Sequence, residues 1–171
     1  MSKKAMFVWC IFLGALDGVY CVICEQIPHV QNYMWIGFIS LPIFFAAGAD
    51  NKMLPKMAVS SICGVLWGKL TLILMGALPI GGGTVTMFIW VTIVVLFACF
   101  VHMSLLDDSV AGGLFASAPA MFGGFAACFS QGGVNAELPW VCLTLILGLI
   151  LGGIMVLAGG VAAKVDGPSE E

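Results

Sequence analysis

Hydrophobic positions run in long unbroken blocks along the chain, and short polar breaks separate them: EQIPHVQN, DNKMLPK, LPIGGG, LLDDS and QGGVNAELP. Each break carries the Pro, Gly, Asn or Asp of a connection. About 20 apolar residues cross a bilayer's hydrocarbon core. The blocks therefore predict six spans, at 5–24, 33–49, 56–78, 84–103, 109–130 and 138–163. The expected fold is all-α and polytopic, a single transmembrane domain over residues 1–171. Its short connections make neighbouring spans antiparallel. A faint internal echo lays FISLPIFFAAGAD (38–50) over WVTIVVLFACFVH (90–102), which predicts a parallel repeat of helical hairpins.

Lysine placement gives a direction. With the N-terminus inside, the cytoplasmic segments hold Lys3, Lys4, Lys52, Lys56 and Lys164, and the outer loops carry only Glu25 and Glu137 as charges. That bias predicts cytoplasmic termini. Tyr33, Trp35 and Trp140 would then sit at the outer interface. The basic start MSKK before an apolar stretch reads as a retained first span, since no small-x-small cleavage site follows.

Composition agrees with the block pattern. Only 9% of the 171 residues are charged, against about 25% in a soluble domain. A net charge of −3, with lysine as the sole basic residue type, argues against a nucleic-acid partner. The seven cysteines fall within or beside apolar segments, as small hydrophobes do. Cys21 and Cys24 form a C-x-x-C, but no second Cys/His pair accompanies it.

The candidate chemistry lies in the few charges at membrane depth. Asp17 interrupts GALDGVYCVI and Lys69 interrupts GVLWGKLTLIL. Counted at 1.5 Å per residue from the cytoplasmic ends, they lie ~18 and ~20 Å deep. Gly14-x-x-x-Gly18 and Gly64-x-x-x-Gly68 lie at matching depths and are candidate helix-packing stripes. If those stripes face each other, Asp17 and Lys69 fall on one flank and meet. Such a pair either lines a polar pathway or simply fixes helix register. Lys69 also has the alternative of snorkelling to the outer headgroups.

Span five, SVAGGLFASAPAMFGGFAACFS, joins Pro119 to Gly112, Gly113, Gly123 and Gly124. Interrupted backbone at that depth is tolerated only against protein or water, which predicts a kinked interior helix with Ser117 returning a hydrogen bond. Pro42 offers a second kink. Asp107, Asp108 and Ser109 read as a helix cap, with His102 as a possible member of the acidic cluster. The glycines of span six, Gly148, Gly152, Gly153, Gly159 and Gly160, offer a close-packing stripe to this subunit or to a neighbour. No catalytic triad, phosphate loop or H-x-x-x-H spacing occurs, and the two histidines fall on opposite faces. No enzyme activity, metal or cofactor is expected.

The size, the six-span plan and W-I-G-F-I-S-L-P-I-F-F-A-A-G (35–48) resemble the YcdZ-like family of small bacterial inner-membrane proteins of unknown function. The resemblance implies a location and an architecture, and no site residues. The sequence favours a homo-oligomeric channel or facilitator for a small neutral or anionic solute, with Asp17, Lys69, Ser117 and Pro119 along the pathway. The competing class is a non-transporting assembly or regulatory subunit. A C-terminal fusion to green fluorescent protein is expected to fluoresce and one to alkaline phosphatase to be inactive. The reverse pattern would place that terminus outside.

Overall fold

The structure is a computed structural model and describes residues 2–106, 108–130 and 133–166. Among the described residues all regular structure is helical. Ser2 caps α1 (Lys3–Glu25) by accepting a hydrogen bond from the Ala5 amide at 3.1 Å. A 3-10 turn at Met34–Ile36 leads into α2 (Gly37–Ala46), and another at Asn51–Met53 leads into α3 (Leu54–Ala77). Helix α4 (Gly83–Phe100) continues as a π-turn at Val101–Leu105, followed by α5 (Ala118–Ser130) and α6 (Leu138–Ala163).

Among the described residues four helices are long and apolar enough to cross a bilayer: Lys3–Glu25, Asn51–Ala77, Gly83–Leu105 and Leu138–Asp166. The other two, Met34–Ala46 and Ala118–Ser130, are shorter. Thirteen residues of helix reach ~20 Å, against a hydrocarbon core of ~30 Å. The sequence expected full spans at 33–49 and 109–130; the helices in those segments are shorter than expected. The cause in the second case is visible. Pro119 occupies the first turn of α5, where its missing N–H costs nothing, and the chain before it is unwound. The segment starts its helix late; it does not kink.

Helices α2, α3, α5 and α6 form the core, with α1 laid on α6 and α4 on α3 as opposite flanks. The contacts between them follow an order that the apolar pattern had not indicated. Asn51 reaches the Gly153 carbonyl and Lys69 the Ala136 carbonyl, so α3 and α6 run antiparallel. Gly64 and Gly68 pack on Met121 and Phe125, whereas Gly148 and Gly152 pack on Gly37 and Phe44. In each set the second pair of positions lies 84 residues beyond the first, Gly64 to Gly148 and Gly37 to Met121. Helix starts obey the same spacing, Met34 to Ala118 and Leu54 to Leu138. The chain is therefore two copies of a three-helix unit, related by a two-fold axis perpendicular to the helices. This inverted arrangement replaces the parallel hairpin repeat expected from 38–50 and 90–102.

The chain ends are clamped together. The Ser2 amide donates to Asp166 Oδ2 at 2.7 Å and the Ser2 hydroxyl to Oδ1. The clamp puts Lys3, Lys4 and Lys164 at one end of the molecule. Lys52 and Lys56, at the start of antiparallel α3, belong to that end too.

A Cβ at Gly64 would overlap the Met121 carbonyl, and one at Gly124 the Ser61 carbonyl, but Gly14 and Gly18 have open space. Gly64→Val and Gly124→Val are therefore expected to cost about 3 kcal/mol or more, the upper part of the overpacking range. Gly14→Val should stay within about 0.5 kcal/mol of wild type. Thermal melting in detergent micelles checks the ranking, and equal effects at all three would remove the close approach.

Candidate functional site

Several buried polar groups gather where α2 and α5 pack against α3 and α6. Ser40, Ser60, Ser61, Ser117 and Thr144 are all buried there. The Ser40 hydroxyl donates to the Leu145 carbonyl at 2.8 Å and approaches the Gly37 carbonyl at 3.0 Å. Ser60 Oγ donates to the Leu114 carbonyl at 3.3 Å and accepts from the Ser117 amide at 3.2 Å. Thr144, by contrast, turns back on its own helix, bonding the Trp140 and Val141 carbonyls.

These bonds explain how an unwound segment survives inside the bundle. Residues 108–117 lack a continuous helical ladder, and non-helical backbone in a bilayer must find partners within the protein. Positive φ at Gly112 (66°) and Gly113 (77°) turns the chain. Ser60 then satisfies the Leu114 carbonyl and the Ser117 amide. His102 takes the next carbonyl: its Nδ1 lies 2.8 Å from Phe115 O, while Trp67 Nε1 donates to its Nε2 at 3.2 Å. The Trp67 bond requires a bare Nε2, so the proton sits on Nδ1 and is given to Phe115. His102 is thus a buried joint between α3, α4 and the unwound segment, not a member of an acidic cluster. Asp108 instead pairs with Lys56 at 2.6 Å; Asp107 lies outside the described residues. In the first unit Tyr20 plays the comparable part, donating to the Met34 carbonyl at 2.8 Å.

The sequence-predicted pair does not form. Asp17 and Lys69 share no ion pair, because their helices pack elsewhere. Leu13, Leu16 and Tyr20 dock α1 on Leu151 and Met155 of α6, and this leaves Gly14 and Gly18 facing away from the bundle. Helix α5 already occupies the Gly64–Gly68 face. Lys69 reaches toward the chain leading into α6, its Nζ 3.5 Å from the Ala136 carbonyl. Asp17 is half-buried, and its Oδ1 is enclosed with no hydrogen-bond partner among the described residues. Ser117 and Pro119 do meet the core, as the hinge between the unwound segment and α5.

Two apolar grooves open laterally, of about 180 Å³ between α1 and α6 and about 330 Å³ between α3 and α4. Leu66, Trp67 and Leu70 of the second correspond to Ile150, Leu151 and Ile154 of the first, again by 84 residues. The connections leading into α2 and α6 are tied to each other separately, by His29 to Glu137 at 3.5 Å and by the Glu137 amide donating to Tyr33 Oη at 3.2 Å. All seven cysteines are free, and no cluster of three metal-ligating side chains occurs among the described residues.

Sequence reasoning missed Ser40, Ser60, Trp67 and the structural place of His102. One signal was present: G-x-x-N-x-x-L-P occurs twice, at 48–55 and 132–139, each time followed by glycines at equal spacing (Gly64 and Gly68; Gly148 and Gly152). A family model described as protein of unknown function (DUF1097) matches residues 10–160, so the chain belongs to that family. No curated protein and no solved structure matches it.

Without an Asp17–Lys69 contact, Asp17→Asn and Lys69→Met should act independently on stability. A double-mutant cycle in detergent is expected to give an interaction energy below about 0.5 kcal/mol. A coupling well above that value would restore the ion pair.

Proposed function

We propose that this DUF1097 chain is a facilitator carrying a small polar solute across a bacterial inner membrane, with both termini in the cytoplasm and more than one copy in the working assembly. The observation that carries the reading is the inverted pair of three-helix units with two short helices at their interface. Transporters of several folds bind their solutes near the midplane, between inverted repeats and beside discontinuous helices. Here the short helices α2 and α5, the hinge at Ser117 and Pro119, and the buried serines occupy the corresponding place. Lys69 would stand at the outer mouth. Asp17 lies on the α1 flank, outside the α2–α3–α5–α6 core.

The YcdZ-like resemblance supports the inner-membrane setting, and the five lysines gathered at one end support the orientation. One observation favours the competing class. The open Gly14–Gly18 stripe beside Asp17 has the small residues of a helix-packing face and no partner helix among the described residues. In an assembly subunit that face would meet another protein.

The two classes part on flux. Proteoliposomes containing the purified protein are expected to shrink and re-swell faster than empty liposomes when challenged with small polar solutes in stopped-flow light scattering. Equal rates for every solute, with the protein folded and inserted, would end the facilitator reading and leave the assembly subunit.

A further inference from the structure

The position of the two-fold axis says more about the solute, given the facilitator reading on which this inference rests. Ile39 and Gly123 are counterparts 84 residues apart, and they lie beside each other: Ile43 fills the space over Gly123, and Ile39 Cγ2 would come within 3.8 Å of a Cβ there. Counterparts side by side lie at the axis. Ser40, one residue on, and Gly124, its own counterpart, are therefore at the centre of the molecule. Both pack against carbonyls of the opposite unit's long helix, Ser40 against Leu145 and Gly124 against Ser61.

The polar groups at this centre are uncharged. They comprise the hydroxyls of Ser40 and Ser60, the Ser117 amide and the carbonyls of Leu145, Leu114 and Gly37. Charges are held elsewhere. Lys69 is turned to the chain leading into α6 and the Lys56–Asp108 pair lies toward the lysine-rich end, with the Asp108 side chain 84% exposed. An ion arriving among buried hydroxyls and carbonyls would meet no counter-charge, which is expensive at membrane depth.

We infer that the solute is a small uncharged hydrogen-bonding molecule, an amide or a polyol, recognised at the two-fold by Ser40 and Ser60 together with the Leu145 and Leu114 carbonyls they now hold. Each serine joins one unit's short-helix segment to the other unit's long helix. Ser40 of α2 bonds α6, and Ser60 of α3 bonds the segment leading into α5. A solute bearing both N–H or O–H donors and an oxygen acceptor replaces such a bond group for group. Its donor takes the carbonyl and its oxygen takes the serine hydroxyl, so no buried group is left unpaired. A carboxylate has no donor for the carbonyls, and an ammonium ion has no acceptor for the hydroxyls. Thr144 and Thr71 are already bonded within their own helices and have no part in the exchange.

The test compares urea, acetamide and glycerol with formate, acetate and ammonium in proteoliposomes, using wild type, Ser40→Ala, Ser60→Ala and, as a control, Thr71→Val. Uncharged solutes should be carried, and each serine replacement should slow them about tenfold, the worth of one buried hydrogen bond, with the control unaffected. Competition in the wild type makes the result independent of variant folding: acetamide should inhibit glycerol flux, and acetate should not. Carriage of the ions with exclusion of the uncharged solutes would overturn the solute class and leave the facilitator standing. Uncharged flux that folded alanine variants preserve, or that acetamide fails to inhibit, would overturn the site. Absence of all flux would remove the facilitator and this inference together.

Discussion

The fold depends on two helices being allowed to touch along their backbones. At Gly64 the α5 backbone around Met121 and Phe125 lies where a side chain would stand, and at Gly124 the α3 backbone around Ser61 does the same in return. In a bilayer, apolar side chains gain little by leaving lipid for protein, so close van der Waals fit and interhelical hydrogen bonds carry association. The reciprocal glycine contact supplies the fit. It also seats Ser60 close enough to serve two backbone groups of the segment before α5. The unwound stretch, the short helix and the buried histidine joint all follow from that approach.

The two units share a plan but not their polar details. On one side of the axis a serine stands against the facing carbonyl; on the other a glycine does, at Gly124. His102 closes the joint ahead of α5, whereas Tyr20 closes the one ahead of α2. Tyr20 and His102 each serve a backbone carbonyl, whereas Gly124 brings no donor to the Ser61 carbonyl that it meets. The duplicated scaffold is thus symmetric in packing and asymmetric in hydrogen bonding.

Much of this was legible in the sequence. Six helices, their order and four of the long apolar ones follow from block length and breaker residues alone. The short helices were overdrawn because apolar runs such as VAGGLFASA do not reveal that Gly112 and Gly113 adopt left-handed turns. Pairing was harder still. A helical wheel shows that Gly64 and Gly68 form a face, but not which helix takes it, and α5 carries small residues of its own. The inverted repeat escaped because apolar residues exchange freely in lipid. Its stable signature sits instead in connections and glycines, where G-x-x-N-x-x-L-P recurs.

The 84-residue duplication also bears on how a single substitution acts. Because the halves face opposite ways, a residue away from the axis and its counterpart 84 positions on lie toward opposite ends of the molecule. Five lysines lie at one end, contributed by α1, by the start of α3 and by the close of α6. The lone lysine away from that end, Lys69, sits where the second unit has Gly153. The scaffold therefore repeats its packing without repeating its charge, and the molecule is electrically polar from end to end.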